Sequence, residues 1–96
     1  MATETLERPR TGGPGGGLGG NWLVIVKNDE HNTFDHVAKT LAQVVPGIGL
    51  DEGYRIADRI HTSGQAIVWT GPKETAELYW EQLQSAGLTM VSLEQH

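Results

Sequence analysis

The sequence contains no cysteine and no long apolar run. Without cysteine there is no disulfide framework, no thiolate zinc site and no thiol nucleophile. No apolar run approaches the roughly 18 residues that a membrane-spanning helix needs. The N-terminus also lacks the charged and then apolar pattern of a secretory signal. We therefore expect a cytoplasmic protein that makes no membrane contact.

Basic residues are also scarce. The 96 residues include 7 Lys and Arg against 12 Asp and Glu, which gives a formal net charge of −5. Proteins that bind nucleic acid rely on basic side chains that neutralise phosphates, and an excess of acids opposes such binding. Nucleic acid is therefore not an expected partner.

Glycine, in contrast, is abundant and unevenly placed. Seven of the 13 glycines fall within the first 20 residues, together with Pro9 and Pro14. Such a segment cannot bury enough apolar surface to offset the loss of chain entropy on folding. We therefore expect residues 1–20 to be a disordered Gly-rich arm and residues 21–96 to form one domain. A domain of that size leaves little room for a deep internal active site.

Apolar periodicity predicts three strands and three helices. Thr33 is a candidate N-cap for the first helix, which Pro46 and Gly47 end. Asp51 is expected to cap the second helix, which Gly64 ends. The third helix runs from Gly71-Pro72 to Gly87, and the strands are expected at 22–26, 65–70 and 88–93. The order β-α-α-β-α-β predicts an α+β fold, with a three-stranded antiparallel sheet and three helices on one face.

A polar run, Asn28 to Asn32, stands where the first strand ends. Its simplest interpretation is a solvated loop. The run lacks the twelve-residue frame of a calcium loop. A transition-metal site from Asp29, His31, His36 and His61 is conceivable, but His31 and His36 are five residues apart, which is not a recognised metal-ligand spacing. No serine lies in a nucleophile-elbow context. We expect no metal, no cofactor and no enzymatic activity.

Three separated segments together resemble the ClpS family, whose members are adaptors of Clp proteases. They are Val24–Glu30 (Val-Ile-Val-Lys-Asn-Asp-Glu), Ile60–Ala66 (Ile-His-Thr-Ser-Gly-Gln-Ala) and Glu74–Glu77 (Glu-Thr-Ala-Glu). The resemblance covers residues 22–94 and implies the β-α-α-β-α-β sandwich, shared with the C-terminal domain of the ribosomal stalk protein. It also implies a monomeric adaptor that binds proteins with a bulky hydrophobic N-terminal residue, an N-degron. The adaptor would deliver them to the N-terminal domain of a Clp AAA+ unfoldase of the ClpA or ClpC type.

The resemblance further implies a binding site. Asn28, Asp29 and His61 would hold the free α-amino group of the substrate. The side-chain pocket would be formed by Glu30, Asn32, Phe34, Val37, Ala57, Ile60 and Met90. Phe34 and Ala57 stand where the family has two pocket methionines, so one wall is larger and the opposite wall smaller. We expect a reshaped pocket rather than a lost one.

Docking to the unfoldase would involve Glu74 and Glu77, which match family positions, and Tyr79, which replaces a family lysine. The arm would engage the unfoldase during delivery. The alternative is a structural docking module of the same fold that binds no N-degron. The triplet Asn28, Asp29 and His61 separates the two, because a docking module has no need of it around one pocket.

Overall fold

The computed structural model describes residues 21–96, so the predicted arm at 1–20 lies outside the described residues. The described chain forms two long strands, two short strands and three helices. In chain order they are β1 (Trp22–Lys27), α1 (Phe34–Val44), α2 (Leu50–Ser63), β2 (Gln65–Gly71), α3 (Lys73–Ser85), β3 (Thr89–Met90) and β4 (Glu94–Gln95). The predicted α+β class and the order of the helices and strands are confirmed.

The sheet is antiparallel and is centred on β1. β2 pairs with one edge of β1 along its whole length, while β3 and β4 share the other edge. The strand predicted at 88–93 is shorter than expected, at Thr89–Met90, and a further short strand, Glu94–Gln95, lies beyond the predicted range. The Val91 backbone N–H still donates to the Ile25 carbonyl oxygen of β1 (3.1 Å), but the Val91 carbonyl oxygen accepts a hydrogen bond of 2.8 Å from the Trp80 indole. A side chain of α3 thus takes an acceptor that a continuous strand would use.

A β-bulge in β2 changes which side of the sheet its side chains point to. Val24 pairs with Trp69 and Ile25 with Ile67, so Val68 has no partner opposite it. The extra residue turns Trp69 towards the helices, where its ring meets that of Tyr79 on α3 edge to face at a centroid distance of 5.1 Å.

The helix boundaries follow local backbone chemistry. Thr33 caps α1 as predicted, because its hydroxyl oxygen accepts a hydrogen bond of 3.0 Å from the His36 backbone N–H. Gly64 ends α2 in the left-handed conformation, at φ 95°, as predicted. The prediction for Asp51 is wrong: α2 begins at Leu50 with Gly49 as its N-cap. Asp51 lies inside the first turn, where a carboxylate interacts favourably with the helix dipole.

The core lies between the sheet and the helices. Val24 and Val26 of β1 are fully buried against apolar side chains of all three helices, including Leu41 of α1 and Leu83 of α3. This packing fixes the end of β1, so the loop at 28–33 emerges beside the end of α2 and the turn that follows α3. Among residues 21–96, no helix combines the length and the apolar composition needed to cross a bilayer.

Candidate functional site

A small cavity opens where β1 ends. Its apolar floor comes from the buried side chains of Val37, Ile60 and Leu88, together with Val26 of β1. Its polar walls are formed by Lys27, Asn28, Asp29, Asn32 and Thr89. The cavity has a volume of about 10 Å³, which is about the space that one water molecule requires. The site therefore combines apolar and polar surface in one small cleft.

The Asp29 carboxylate is the centre of the polar wall. One oxygen, Oδ1, accepts hydrogen bonds from the backbone N–H groups of His31 (2.7 Å) and Asn32 (2.8 Å). The other, Oδ2, accepts from the Asn32 side-chain amide (2.8 Å) and from the Thr89 hydroxyl (2.7 Å). A carboxylate has about four acceptor positions, so all of them are used within the protein.

These hydrogen bonds determine the charge state of Asp29. Burial by itself raises the pKa of the carboxyl group, because it disfavours the charged form. The hydrogen bonds from Thr89, from the Asn32 side chain and from two backbone N–H groups outweigh burial and hold the pKa well below its usual range. Asp29 therefore carries a fixed negative charge at the mouth of the cavity.

The side chains of Asn32 and His36 attach the segment that follows β1 to the turn after α3. The Asn32 amide donates its second hydrogen bond to the carbonyl oxygen of Gly87 (3.0 Å). The His36 Nε2–H group donates to the carbonyl oxygen of Ala86 (2.8 Å). Gly87 itself adopts φ 102°, a left-handed conformation that favours glycine. The segment from Asp29 to His36 and the turn at 86–89 are thus one hydrogen-bonded unit.

Other polar groups at the site remain open. The Asn28 backbone N–H donates to the Gly64 carbonyl oxygen (2.8 Å), which fixes the backbone beside the end of α2. Its side-chain amide makes no hydrogen bond with residues 21–96, and neither does the exposed carboxylate of Glu30. Both groups can therefore accept hydrogen bonds from a ligand.

His61 stands in the last turn of α2, directly after Ile60 of the cavity floor. Its ring meets that of Phe34, the first residue of α1, edge to face at a centroid distance of 5.3 Å. Phe34 is 42% exposed, so the pair lies on the surface between the two helices. The Phe34 ring therefore supports His61 rather than filling the cavity.

The structure brings together five of the predicted site residues at the cavity: Asn28, Asp29, Asn32, Val37 and Ile60. Ala57 does not line it, because its side chain is buried in the core. Met90 is half-buried and pairs with Val26 in the ladder between β1 and β3. Four further residues line the cavity without having been predicted: Val26, Lys27, Leu88 and Thr89. Thr89 gives no signal in the sequence, since the pairing of β3 with β1 alone brings it to Asp29.

The predicted docking residues lie on α3. Glu74 and Glu77 are exposed, whereas Tyr79 is half-buried against Trp69. Within the part of the chain that the structure describes, no group of three or more His, Cys, Asp or Glu side chains is placed to hold a metal ion.

The fold and the cavity define a class of protein: a small α+β domain with a polar and apolar cleft at the end of its central strand. The family model described as "ATP-dependent Clp protease adaptor protein ClpS" matches residues 19–91. The ClpS adapter of Nostoc sp. is 53% identical over 74 residues, which are 77% of this chain and 76% of the relative. The ClpS adapter of Thermosynechococcus vestitus is also 53% identical, over 77% of this chain and 79% of the relative.

A solved structure, Agrobacterium tumefaciens ClpS2 bound to L-phenylalaninamide, superposes with a TM-score of 0.70 at 24% identity. The match covers 80% of this chain and 98% of that chain, and it shows the fold. With the family match and the two relatives, the assignment is complete: the chain belongs to the ClpS family, the adaptor proteins of the ATP-dependent Clp protease.

Proposed function

We propose that the chain binds proteins with a bulky hydrophobic N-terminal residue and delivers them to a Clp-type AAA+ unfoldase in the cytoplasm, as a monomer and without catalysing a reaction. One observation carries the proposal: open acceptors and a fixed negative charge lie beside the apolar floor of one cavity. L-phenylalaninamide, the molecule bound by the A. tumefaciens relative, has a free α-amino group beside a benzyl side chain. Those two groups match the two kinds of surface at this site.

The α-ammonium group would be held by Asn28, Asp29 and His61. The Asn28 amide oxygen and a neutral His61 imidazole can each accept a hydrogen bond from it, directly or through water. Asp29 contributes its charge, because its own acceptor positions are occupied. Glu30 offers the carboxylate oxygens that are open in this loop. Acetylation of the substrate removes the positive charge and two donors, and leaves these acceptors unpaired.

The hydrophobic side chain would enter over Val37 and Ile60. The small volume of the cavity means that its rim must move to admit a Leu or Phe side chain. The proposed rim would be formed by Asn32, which lines the cavity, together with the exposed Phe34 and Glu30 and the half-buried Met90. Ala57 is buried in the same core cluster as Ile60 and is smaller than the methionine that the family has at its position.

Fluorescence anisotropy with short labelled peptides tests this function. Peptides that begin with Phe or Leu should bind, and the acetylated Phe peptide should bind about tenfold more weakly or worse, because charge-assisted hydrogen bonds contribute about 1.5–3 kcal/mol each. A Val-initiated peptide measures how far the pocket excludes β-branched residues. Asn28→Ala should weaken the Phe peptide, while Gln43→Ala, which removes an exposed amide on α1, should not. Equal binding of free and acetylated peptides would contradict the proposal.

A structural docking module of the same fold would need no open acceptors at the cavity, so the same experiment separates the two functions. Delivery would use the exposed carboxylates of Glu74 and Glu77 on α3, with Tyr79 beside them. The segment 1–20 would engage the unfoldase. Its deletion should spare peptide binding and impair degradation of a substrate in a reconstituted reaction.

A further inference from the structure

We propose that Thr89 is a positioning residue of the amine-binding site and acts through the carboxylate of Asp29. The inference rests on the function proposed above and deepens it. Thr89 lines the cavity, and it would serve the amine site through the hydrogen bond that its hydroxyl donates to Asp29. It would hold the loop at 28–33 in a geometry that aims Asn28 and Glu30, the two neighbours of Asp29, at the ammonium group.

The hydrogen bonds of Asp29 single out Thr89. Three of the four donors on this carboxylate belong to His31 and Asn32, in the same loop as Asp29. The fourth is the Thr89 hydroxyl at 2.7 Å, which is 60 residues away along the chain. The hydrogen bonds within the loop give it its conformation, and the hydrogen bond from Thr89 attaches the loop to the sheet.

Thr89 is well placed to serve as a fixed point. It lies in β3, where it pairs with Lys27, the last residue of β1. The turn before it is closed by a hydrogen bond from the Leu88 backbone N–H to the Leu83 carbonyl oxygen at 3.1 Å, and Leu88 is buried. The hydroxyl therefore projects from backbone that is fixed both to β1 and to α3.

Other contacts act in the same direction. Asn32 and His36 donate to the carbonyl oxygens of Gly87 and Ala86, two and three residues before Thr89. These contacts attach the far end of the loop and the first turn of α1, and the Asn28 backbone N–H bonds to the Gly64 carbonyl oxygen at the near end, so Asp29 and Glu30 lie between the two anchored ends. The bond from Thr89 is the side-chain contact that reaches this stretch from outside the loop within residues 21–96.

Loss of the Thr89–Asp29 hydrogen bond would lower the affinity for the peptide. A loop that is already ordered loses little conformational entropy when a ligand arrives, whereas a loose loop must be ordered at that moment. Removal of the hydroxyl should therefore weaken binding of a Phe-initiated peptide by roughly threefold to tenfold, with the larger value for a charge-assisted bond.

Thr89→Val and Thr89→Ser form the matched test. Valine has nearly the same shape and lacks the donor, while serine keeps it. Amide hydrogen exchange of the free protein reports the loop directly, because the His31 and Asn32 N–H groups both donate to Asp29. In Thr89→Val these two amides should exchange about fivefold faster or more, while amides paired between β1 and β2 stay unchanged. Thr89→Ser should match the wild-type protein in exchange and in peptide affinity.

A double variant adds a second measurement. If Thr89 acts through Asp29, then Asp29→Ala, which removes the acceptor of the Thr89 hydroxyl, combined with Thr89→Val should bind the Phe peptide no more weakly than Asp29→Ala alone. Additive losses would overturn the inference. The inference would also be overturned if the His31 and Asn32 amides of Thr89→Val exchanged at the wild-type rate. The same holds if these amides exchanged faster while the variant kept the wild-type affinity for the peptide.

The two proposals can fail separately. If the wild-type protein binds free and acetylated peptides equally, the proposed function fails and the inference falls with it. If the wild-type protein discriminates between them and Thr89→Val binds as tightly as the wild-type protein, the inference alone fails.

Discussion

At the scale of single residues, Asp29 has the most densely bonded side chain of the site. It accepts hydrogen bonds from three residues, and its charge is stabilised although burial opposes it. A carboxylate in this position acts as an organiser of the loop, because each donor is held in place by an acceptor that stays ionised. Its contribution to stability should therefore depend on pH.

We predict that Asp29→Asn lowers the free energy of unfolding at neutral pH and that this loss shrinks in acid. The folded-state pKa lies below the unfolded value of 3.8, so the folded state stabilises the ionised form. That stabilisation is fully present above the unfolded value and declines as the pH falls towards the folded-state value.

Urea unfolding at neutral pH and at about pH 2 measures this change. Asp58→Asn, which alters an exposed carboxylate on α2, is the control and should differ little from the wild-type protein at neutral pH. A destabilisation by Asp29→Asn that is as large in acid as at neutral pH would contradict the role of the ionised carboxylate.

At the scale of helices and strands, the approach of α1 to α2 depends on one glycine. A Cβ atom at Gly53 would lie 2.5 Å from the carbonyl oxygen of Ala38, which belongs to the backbone of α1. Backbone cannot move aside as a flexible side chain can, so the two helices would have to separate. Val37, of the cavity floor, precedes Ala38 on α1, and Ile60 lies on α2, so this crossing also sets the spacing of the floor.

We predict that Gly53→Ala destabilises the domain by about 1–3 kcal/mol, as overpacking does. The sign of the effect is diagnostic. In an open helix interior the same substitution stabilises by about 0.5–1 kcal/mol, because alanine has the higher helix propensity. Chemical denaturation of the two proteins measures the change, and a stabilised variant would show that the helices are not in close contact at this point.

At the scale of the whole molecule, α3 links two regions of surface. Its first residue, Lys73, places its ammonium 5.2 Å from the ring of Trp22, at the start of β1. The other end of α3 is followed by the turn at 86–89. This turn accepts hydrogen bonds from Asn32, in the loop after β1, and from His36, in the first turn of α1. Glu74 and Glu77 therefore lie towards the end of α3 that is remote from the cavity. Under the proposed function, this separation would allow a substrate and an unfoldase to be bound at the same time.

We predict that Glu74→Lys combined with Glu77→Lys leaves the affinity for a Phe-initiated peptide unchanged and slows delivery by about tenfold or more, since reversed charges at an interface cost several kcal/mol. Degradation of a Phe-initiated reporter by a reconstituted Clp protease measures delivery, and anisotropy measures binding. Asp58→Lys, a charge reversal on α2, should leave both unchanged. Normal degradation with the double variant would place the docking surface elsewhere on the molecule.

The sequence by itself determined the order of the helices and strands, because apolar spacing depends only on which face of each segment is buried. It also determined the cap at Thr33 and the end at Gly64, which are local backbone effects. It gave the composition of the loop after β1 and the resemblance that the family match confirms. These features depend on neighbouring residues or on short patterns, so they can be read along the chain.

Tertiary structure alone decided the remainder. The break between β3 and β4 lies where the Trp80 indole of α3 bonds to the Val91 carbonyl oxygen. The contact of Thr89 with Asp29 joins groups 60 residues apart. A hydroxyl that long-range strand pairing brings to a carboxylate leaves no periodicity and no motif in the sequence, so its place at the site emerges only once the sheet has formed.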